Sequence, residues 1–275
     1  MTEFRLGRLT WPELKDTIDK VDAILVPVGA TEQHARHMPL DNDYSTSVAT
    51  CERVAIKAQE AGLNVLVSPP VTFGASWYHM DFPGTITLSQ TTFMSIIKEI
   101  CISLNKHGFR NIIFFNSHGG NTQALTLAMT ELYEKTRIRT YLCQWFDLCA
   151  KTLKERGIKT PLLHSEEAET SLAFALGQRV VTQELKRETF SRKETLDKKG
   201  MPTSKHVNYD KINPGSGVLT PIDYIIDISD SGVVGDATLA SKETGEAMLK
   251  EIVTIVLELI KDLNRLNHAS NITTA

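Results

Sequence analysis

Apolar runs and amphipathic stretches alternate along this chain. Ala23 to Val28 (AILVPV) is continuously apolar and ends at Gly29, as a strand buried on both faces would. From Asp43 to Ala61 the apolar positions fall to helical spacing, with Val48, Cys51, Val54, Ala55 and Ala58 on one stripe and Gly62 as a stop. Asn64 to Phe73 is strand-like, broken by Pro69 and Pro70. Ser89 to His107 predicts a second amphipathic helix closed by Gly108, and Asn111 to Phe115 (NIIFF) another buried strand. A helix over Asn121 to Lys135, a strand over Ile138 to Phe146 and a long closing helix from Thr238 to Leu266 complete the pattern.

This βαβα alternation predicts an α/β fold with a mostly parallel central sheet flanked by helices, in one domain spanning residues 1–275. In such sheets ligands bind beyond the carboxyl ends of the strands. One stretch departs from the pattern. Residues 186–211 (KRETFSRKETLDKKGMPTSKHVNYDK) are highly charged and poorly periodic, which reads as an exposed excursion, either a lid or a plain solvated loop.

Composition narrows the function classes. The 275 residues carry a formal net charge of −3, with neither a basic footprint for nucleic acid nor a polybasic membrane patch. No run approaches the ~18 apolar residues of a membrane span, and the first residues, MTEFRLGRLTWPEL, lack a signal-type apolar segment. A cytoplasmic protein is the expectation. Cys51, Cys101, Cys143 and Cys149 lie scattered in apolar surroundings without CxxC spacing, which favours buried reduced thiols over a cysteine-ligated zinc. No GxGxxG opens a helix, so a dinucleotide-dependent redox enzyme is disfavoured.

The candidate chemistry sits at predicted strand ends. VPVGATEQHARHMPLDND (26–43) places Glu32 and His34 two residues apart, on one side of an extended chain, with Asp43 at the start of the next helix. There Asp43 is either a carboxylate bridging two cations or a plain helix N-cap. His37 and Asp41 are either supports for such ligands or bystanders. NIIFFNSHGGN (111–121) delivers His118 to a strand end, and Gly119 and Gly120 allow a ligand close to the backbone, or merely form a turn. LLHSEEAETSLAFAL (162–176) sets His164, Glu166, Glu167 and Glu169 before an apolar helical face, as site residues or as helix-dipole partners. SWYHMDFPGT (76–85) surrounds His79 with aromatics and either lines a pocket or packs as core. Carboxylates and imidazoles converging on several strand ends point to a metal centre.

At VPVGATEQHARHMPLDND, FPGTITL, FNSHGGN, HSEEAETS and GVVGDATLASKETG, in that order from about residue 20 to 260, the sequence resembles the creatininase (creatinine amidohydrolase) family. The resemblance implies a three-layer α/β fold, a two-metal hydrolytic site and a homo-oligomer, a hexamer in that family. Carried onto this chain, the metal ligands are Glu32, His34, Asp43 as bridge, His118 and Glu169. His164 and Glu167 then stand beside the attacking water as catalytic residues, and Ser76, Trp77, Tyr78, His79, Gly119 and Gly120 bind substrate. Two departures weaken creatinine as the substrate. Creatininase has a tyrosine and a metal-binding glutamate where Gly119 and Gly120 stand here, so Glu169 is assigned as the replacement ligand. Its tryptophan-bearing lid also has no match around residues 145–165.

The expected cofactors are two divalent ions per chain, zinc first, with manganese or iron suited to the same donor set. The expected activity is hydrolysis of a C–N bond in a small cyclic amide, formamide or related amide by metal-activated water. Two alternatives stand beside it: hydrolysis of a C–C bond in a cyclic diketone, and a non-catalytic metal-binding protein. A small-molecule substrate is the expected partner.

Overall fold

A computed structural model describes residues 3–158, 163–188, 192–201, 203–207 and 220–273. A short helix α1 (Trp11–Lys15) precedes the first strand, β1 (Ala23–Val28). There follow α2 (Asn42–Glu60), β2 (Val65–Val67), α3 (Gln90–Lys106), β3 (Ile112–Asn116), α4 (Thr122–Thr136) and β4 (Thr140–Gln144). The four strands form one parallel sheet in the order β2-β1-β3-β4, with Leu25 opposite Val67 on one side and Ile113 on the other. The parallel sheet and its flanking helices are as the periodicity predicts.

Alternation along the strands sorts side chains into two apolar layers. Ala23, Leu25, Ile113 and Phe115 face one core, filled by Cys51 and Val54 of α2 and by two later helices, α7 (Glu167–Leu176) and α10 (Lys242–Thr273). Ile24, Val26, Ile112 and Phe114 face the other, built on Phe93 and Ile97 of α3 and Leu125 of α4. Burial on both sides explains why β1 and β3 read as unbroken apolar runs.

Strand β2 stops at Val67, well short of Phe73, because Pro69 and Pro70 lack the N–H groups a ladder needs. Beyond them the chain makes only single bridges, Val71 to Val28 and Gly74 to Thr87. The long closing helix starts at Lys242, four residues after the predicted Thr238. Asp236 instead caps a 3-10 turn over Ala237–Leu239, its carboxylate accepting from Thr238 N–H.

Between the sheet and α10 lie short elements: α5 (Trp145–Leu148), α6 (Ala150–Arg156), β5 (Arg187–Glu188), α8 (Arg192–Lys198), α9 (Ile225–Ile228) and β6 (Gly235–Asp236). The charged 186–211 excursion falls partly outside the described residues. Its described part pairs β5 antiparallel with β6 and buries Leu196 of α8 against Tyr78, Ile225, Ile228 and Val234. All four cysteines are buried and unpaired; burial pushes the thiols of Cys101, Cys143 and Cys149 up to about 12. Among the described residues no helix is long and apolar enough to cross a membrane.

Candidate metal centre

Four segments bring side chains together at the carboxyl edge of the sheet. The loop after β1 supplies Glu32 and His34, the first turn of α2 supplies Asp43, the end of β3 supplies His118, and the first turn of α7 supplies Glu169. All five are buried. Asp43 stands between the two rings: its Oδ1 is 3.0 Å from His34 Nε2 and its Oδ2 is 3.2 Å from His118 Nδ1. His34 Nε2 also lies 3.2 Å from Glu169 Oε1, and His118 Nδ1 lies 3.2 Å from Glu32 Oε1. Two clusters of ligand-type atoms therefore share Asp43: Glu32 with His118, and His34 with Glu169. A third joins Glu32, His34 and His164.

The far nitrogen of each ring is tied to the main chain. His34 Nδ1 is 3.1 Å from the Glu32 carbonyl and His118 Nε2 is 3.2 Å from that of Ala75. A carbonyl oxygen only accepts, so these nitrogens carry the proton, and in the neutral rings the lone pairs face the carboxylates. Metal-binding histidines are held in this way. Glu32 Oε2 and Asp43 Oδ2 are buried without a hydrogen-bond partner, the latter close to His118 yet misaligned for a bond. Buried carboxylate oxygens left so are costly, and divalent cations would satisfy them. The residues fit a metal pair.

The electrostatics of the metal-free cage agree. Burial opposes charge on His34, yet Asp43 and Glu169 hold its pKa well above 6.5. His118 is likewise raised to about 10 against burial by Glu32 and Asp43. Burial opposes charge on Asp43 and Glu169 too, but the adjoining imidazoles hold both below the usual carboxylate range. Protons on the rings thus occupy the role that cations would take.

His164 lies at the rim, 4.7 Å ring to ring from His34 and 4.4 Å from His79, with Nδ1 3.9 Å from Glu32 Oε1. Its pKa is lowered, first by burial and then by His34. Glu167 begins α7 half-buried and belongs to none of the three clusters. Its neighbour Glu166 is the buried N-cap, accepting from Ala168 N–H and Glu169 N–H, and burial raises it to about 8. Ser165 adopts a left-handed φ of 53° and donates its N–H to Glu169 Oε2 at 2.6 Å, locking that carboxylate. His37 is buried against Thr170 Oγ1 at 3.0 Å, next to Glu169, whereas the Asp41 carboxylate accepts from Ser45 outside the cage.

The aromatic segment is closer to the cage than its sequence suggests. His79 Nε2 is 3.3 Å from Glu32 Oε1. Tyr78 Oη and Ser76 Oγ lie 3.3 and 3.4 Å from His118 Nε2, so both help hold that ring. Trp77 packs edge-on against Tyr78 and Tyr224. Gly119 and Gly120 form the turn into α4, and the Gly120 N–H meets Tyr78. A Cβ at Gly120 would fall 2.4 Å from Tyr78 Oη and 2.5 Å from His118 Nε2, leaving no room for a side chain there. Glu169, from α7, is the carboxylate that clusters with His34 and Asp43 instead. Gln33, between two ligand candidates, is a polar residue that sequence reasoning passed over. Its partners at 79, 164 and 232 are distant in the chain, and no local signal marks it.

Fold and site together define an α/β protein with a metal-capable carboxylate–imidazole cage at the carboxyl edge of a parallel sheet. The family profile described as creatininase (creatinine amidohydrolase) matches residues 7–260, and the chain belongs to that family of hydrolases. It is 31% identical over 244 residues to the mycofactocin precursor peptide peptidase of Mycolicibacterium smegmatis, covering 88% of this chain and 85% of the relative. It is 25% identical over 266 residues to a 3-dehydro-scyllo-inosose hydrolase of Thermotoga maritima, covering 93% and 82%. A solved mutant creatininase of Zn–Zn type superposes with a TM-score of 0.75 at 22% identity over 95% of this chain and 98% of its own, a likeness of fold.

Proposed function

We propose that this protein is a metal-dependent hydrolase of a C–N bond in a small cyclic amide, formamide or related amide. The observation that carries the reading is the shared Asp43, with one carboxylate oxygen toward each of two imidazole–carboxylate pairs. Glu32, Asp43 and His118 would hold one divalent ion, and His34, Asp43 and Glu169 a second, zinc first among the suitable metals. Such ions supply Lewis acidity toward a carbonyl oxygen and lower the pKa of water from ~15.7 towards ~7.

The chain's own residues do the rest. Burial of the cage residues keeps bulk water from the carboxylates and strengthens every interaction among them. His164, its Nε2 spent on the Gln33 carbonyl at 2.8 Å, presents Nδ1 as a proton acceptor near Glu32. A nitrogen leaving group needs a proton, and His164 or Glu167 returns it. Trp77 and Tyr224 shape the approach. Tyr78 Oη fills the space that a side chain at 120 would need, a departure from creatininase that weighs against creatinine as the substrate. A small-molecule substrate and a homo-oligomeric assembly belong to the same proposal.

Similarity to the inosose hydrolase favours one second reading, C–C hydrolysis of a cyclic diketone on the same cage. Zinc- and manganese-loaded protein, assayed on panels of lactams, formamides, short peptides and cyclic diketones, separates the two. Amine or ammonium release, lost in both Glu32→Gln and His118→Ala, supports the proposal. Turnover confined to diketones moves the assignment to the second reading. Unchanged metal content and activity in both variants would sink the cage itself.

A further inference from the structure

Three of the four imidazoles at the cage share one arrangement. His34, His118 and His164 each place one ring nitrogen on a backbone carbonyl, of Glu32, Ala75 and Gln33, and turn the other toward the carboxylates. His79 is wired the opposite way. Its outer nitrogen, Nδ1, faces the Gln33 side-chain amide at 2.9 Å.

Which atom of that amide faces His79 is settled by a third group. The Ala35 backbone N–H donates to Gln33 Oε1 at 2.7 Å, so Oε1 is the acceptor and Nε2 the donor. Nε2–H therefore donates to His79 Nδ1, which must be bare, and the proton of neutral His79 sits on Nε2, 3.3 Å from Glu32 Oε1. The second Nε2 hydrogen lies toward the Gly232 carbonyl at 3.5 Å. Gln33 also uses its main chain, with N–H to Thr85 Oγ1 at 3.1 Å and its carbonyl taking His164 Nε2–H at 2.8 Å.

The surroundings are shaped to this one orientation. Ala35 takes a left-handed φ of 54°, which turns its N–H back onto the Gln33 side chain. Gly232, with φ +85°, approaches so closely that a Cβ would stand 2.1 Å from Gln33 Oε1.

We propose that Gln33 is a positioning residue that presets two imidazoles in opposite senses. Its amide fixes His79 as an N–H donor, and its carbonyl fixes His164 as a bare-nitrogen acceptor, side by side at the Glu32 edge of the cage. His79 is then a hydrogen-bond donor and not a metal ligand. A group bound at this edge meets a donor and an acceptor together, the pattern of a substrate carrying a carbonyl oxygen beside an N–H or O–H. The inference rests on reading the cage as a hydrolytic centre, but the tautomers are readable without any substrate.

The test is long-range proton–nitrogen correlation on protein labelled at the histidine ring nitrogens, metal-free and zinc-loaded, with His79→Gln and His164→Gln to assign the signals. Wild type is expected to show the Nε2–H tautomer for both residues. In Gln33→Glu a carboxylate oxygen faces His79, so Nδ1 gains a proton while His164, on the backbone carbonyl, keeps its state. Gln33→Met removes the donor, and His79 loses its single tautomer. Gly232→Ala displaces the amide without altering a cage residue and should repeat the Met result, which guards against misfolding of either Gln33 variant. Metal content stays at the wild-type value in all three, while kcat falls about 10²-fold or more with KM little changed, in the range of a lost general acid–base contribution. A wild-type His79 protonated at Nδ1, or Gln33→Met with full kcat, overturns the proposal. If the tautomers are as stated but wild type hydrolyses no amide or diketone, the positioning stands and the hydrolase reading falls.

Discussion

The floor and the roof of the site are made of different materials. The floor, Glu32, His34, Asp43, His118 and Glu169, is polar, buried and anchored at the ends of sheet and helices. The roof is apolar: Leu196, Ile225, Ile228 and Val234 pack with the ring of Tyr78, whose hydroxyl belongs to the floor, and Trp77 leans edge-on against Tyr224. The floor's geometry is held by hydrogen bonds of fixed direction, the roof's by packing. A pair of cations tolerates little displacement of its ligands, whereas an apolar cover can be remodelled with modest cost if its volume is kept.

Breaking the floor has the largest expected effect. Asp43→Asn should release both ions and reduce turnover to background, read by metal analysis and assay together. Next comes the rim: His164→Gln should cost about 10²–10⁴-fold in kcat while metal stays bound. Removing a support of the floor should cost less. Tyr78→Phe takes one of three oxygen contacts from His118 Nε2 and should weaken metal binding about tenfold, the low end for such partners, as measured by competition with a chelator.

In the roof, Leu196→Ala should cost about 2–5 kcal/mol of local stability, raising proteolysis around α8 with metal content unchanged. A roof variant that strips the metal would erase the distinction between the two regions. A last effect is electrostatic and belongs to the metal-free protein. His118 is raised from 6.5 to about 10 on folding, so its charged form stabilises fully below pH 6.5, and that contribution is lost as pH rises through about 10. Melting temperature of chelator-treated protein should fall across that window, and metal affinity should rise over the same window as protons leave.

Much of this was legible in the chain. β1 and β3 announced themselves as unbroken apolar runs because both faces of the sheet are covered, and α2, α3 and α4 by their stripes. The five cage residues stood out because each lies at a strand end or a helix start. The early stop of β2 is signalled by Pro69 and Pro70, beyond which only single bridges follow. Local spacing said nothing of which ring nitrogen faces inward. That depends on Ala75, Gln33 and Ala35, and on contacts spanning 43 residues for His118–Ala75 and 131 for His164–Gln33. Glu167 is expected as a catalytic residue from the family resemblance alone; in the same turn of α7, Glu169 points into the cage and Glu166 is the cap.

Whether Asp43 bridges two ions in this cage can be read by elemental mass spectrometry. Protein purified without chelator or affinity histidines would be measured beside Asp43→Ala. Wild type should hold about two zinc, manganese or iron ions per chain, and the variant none. Wild type without bound metal after reconstitution with each of the three, or a variant that binds as well as wild type, would contradict it.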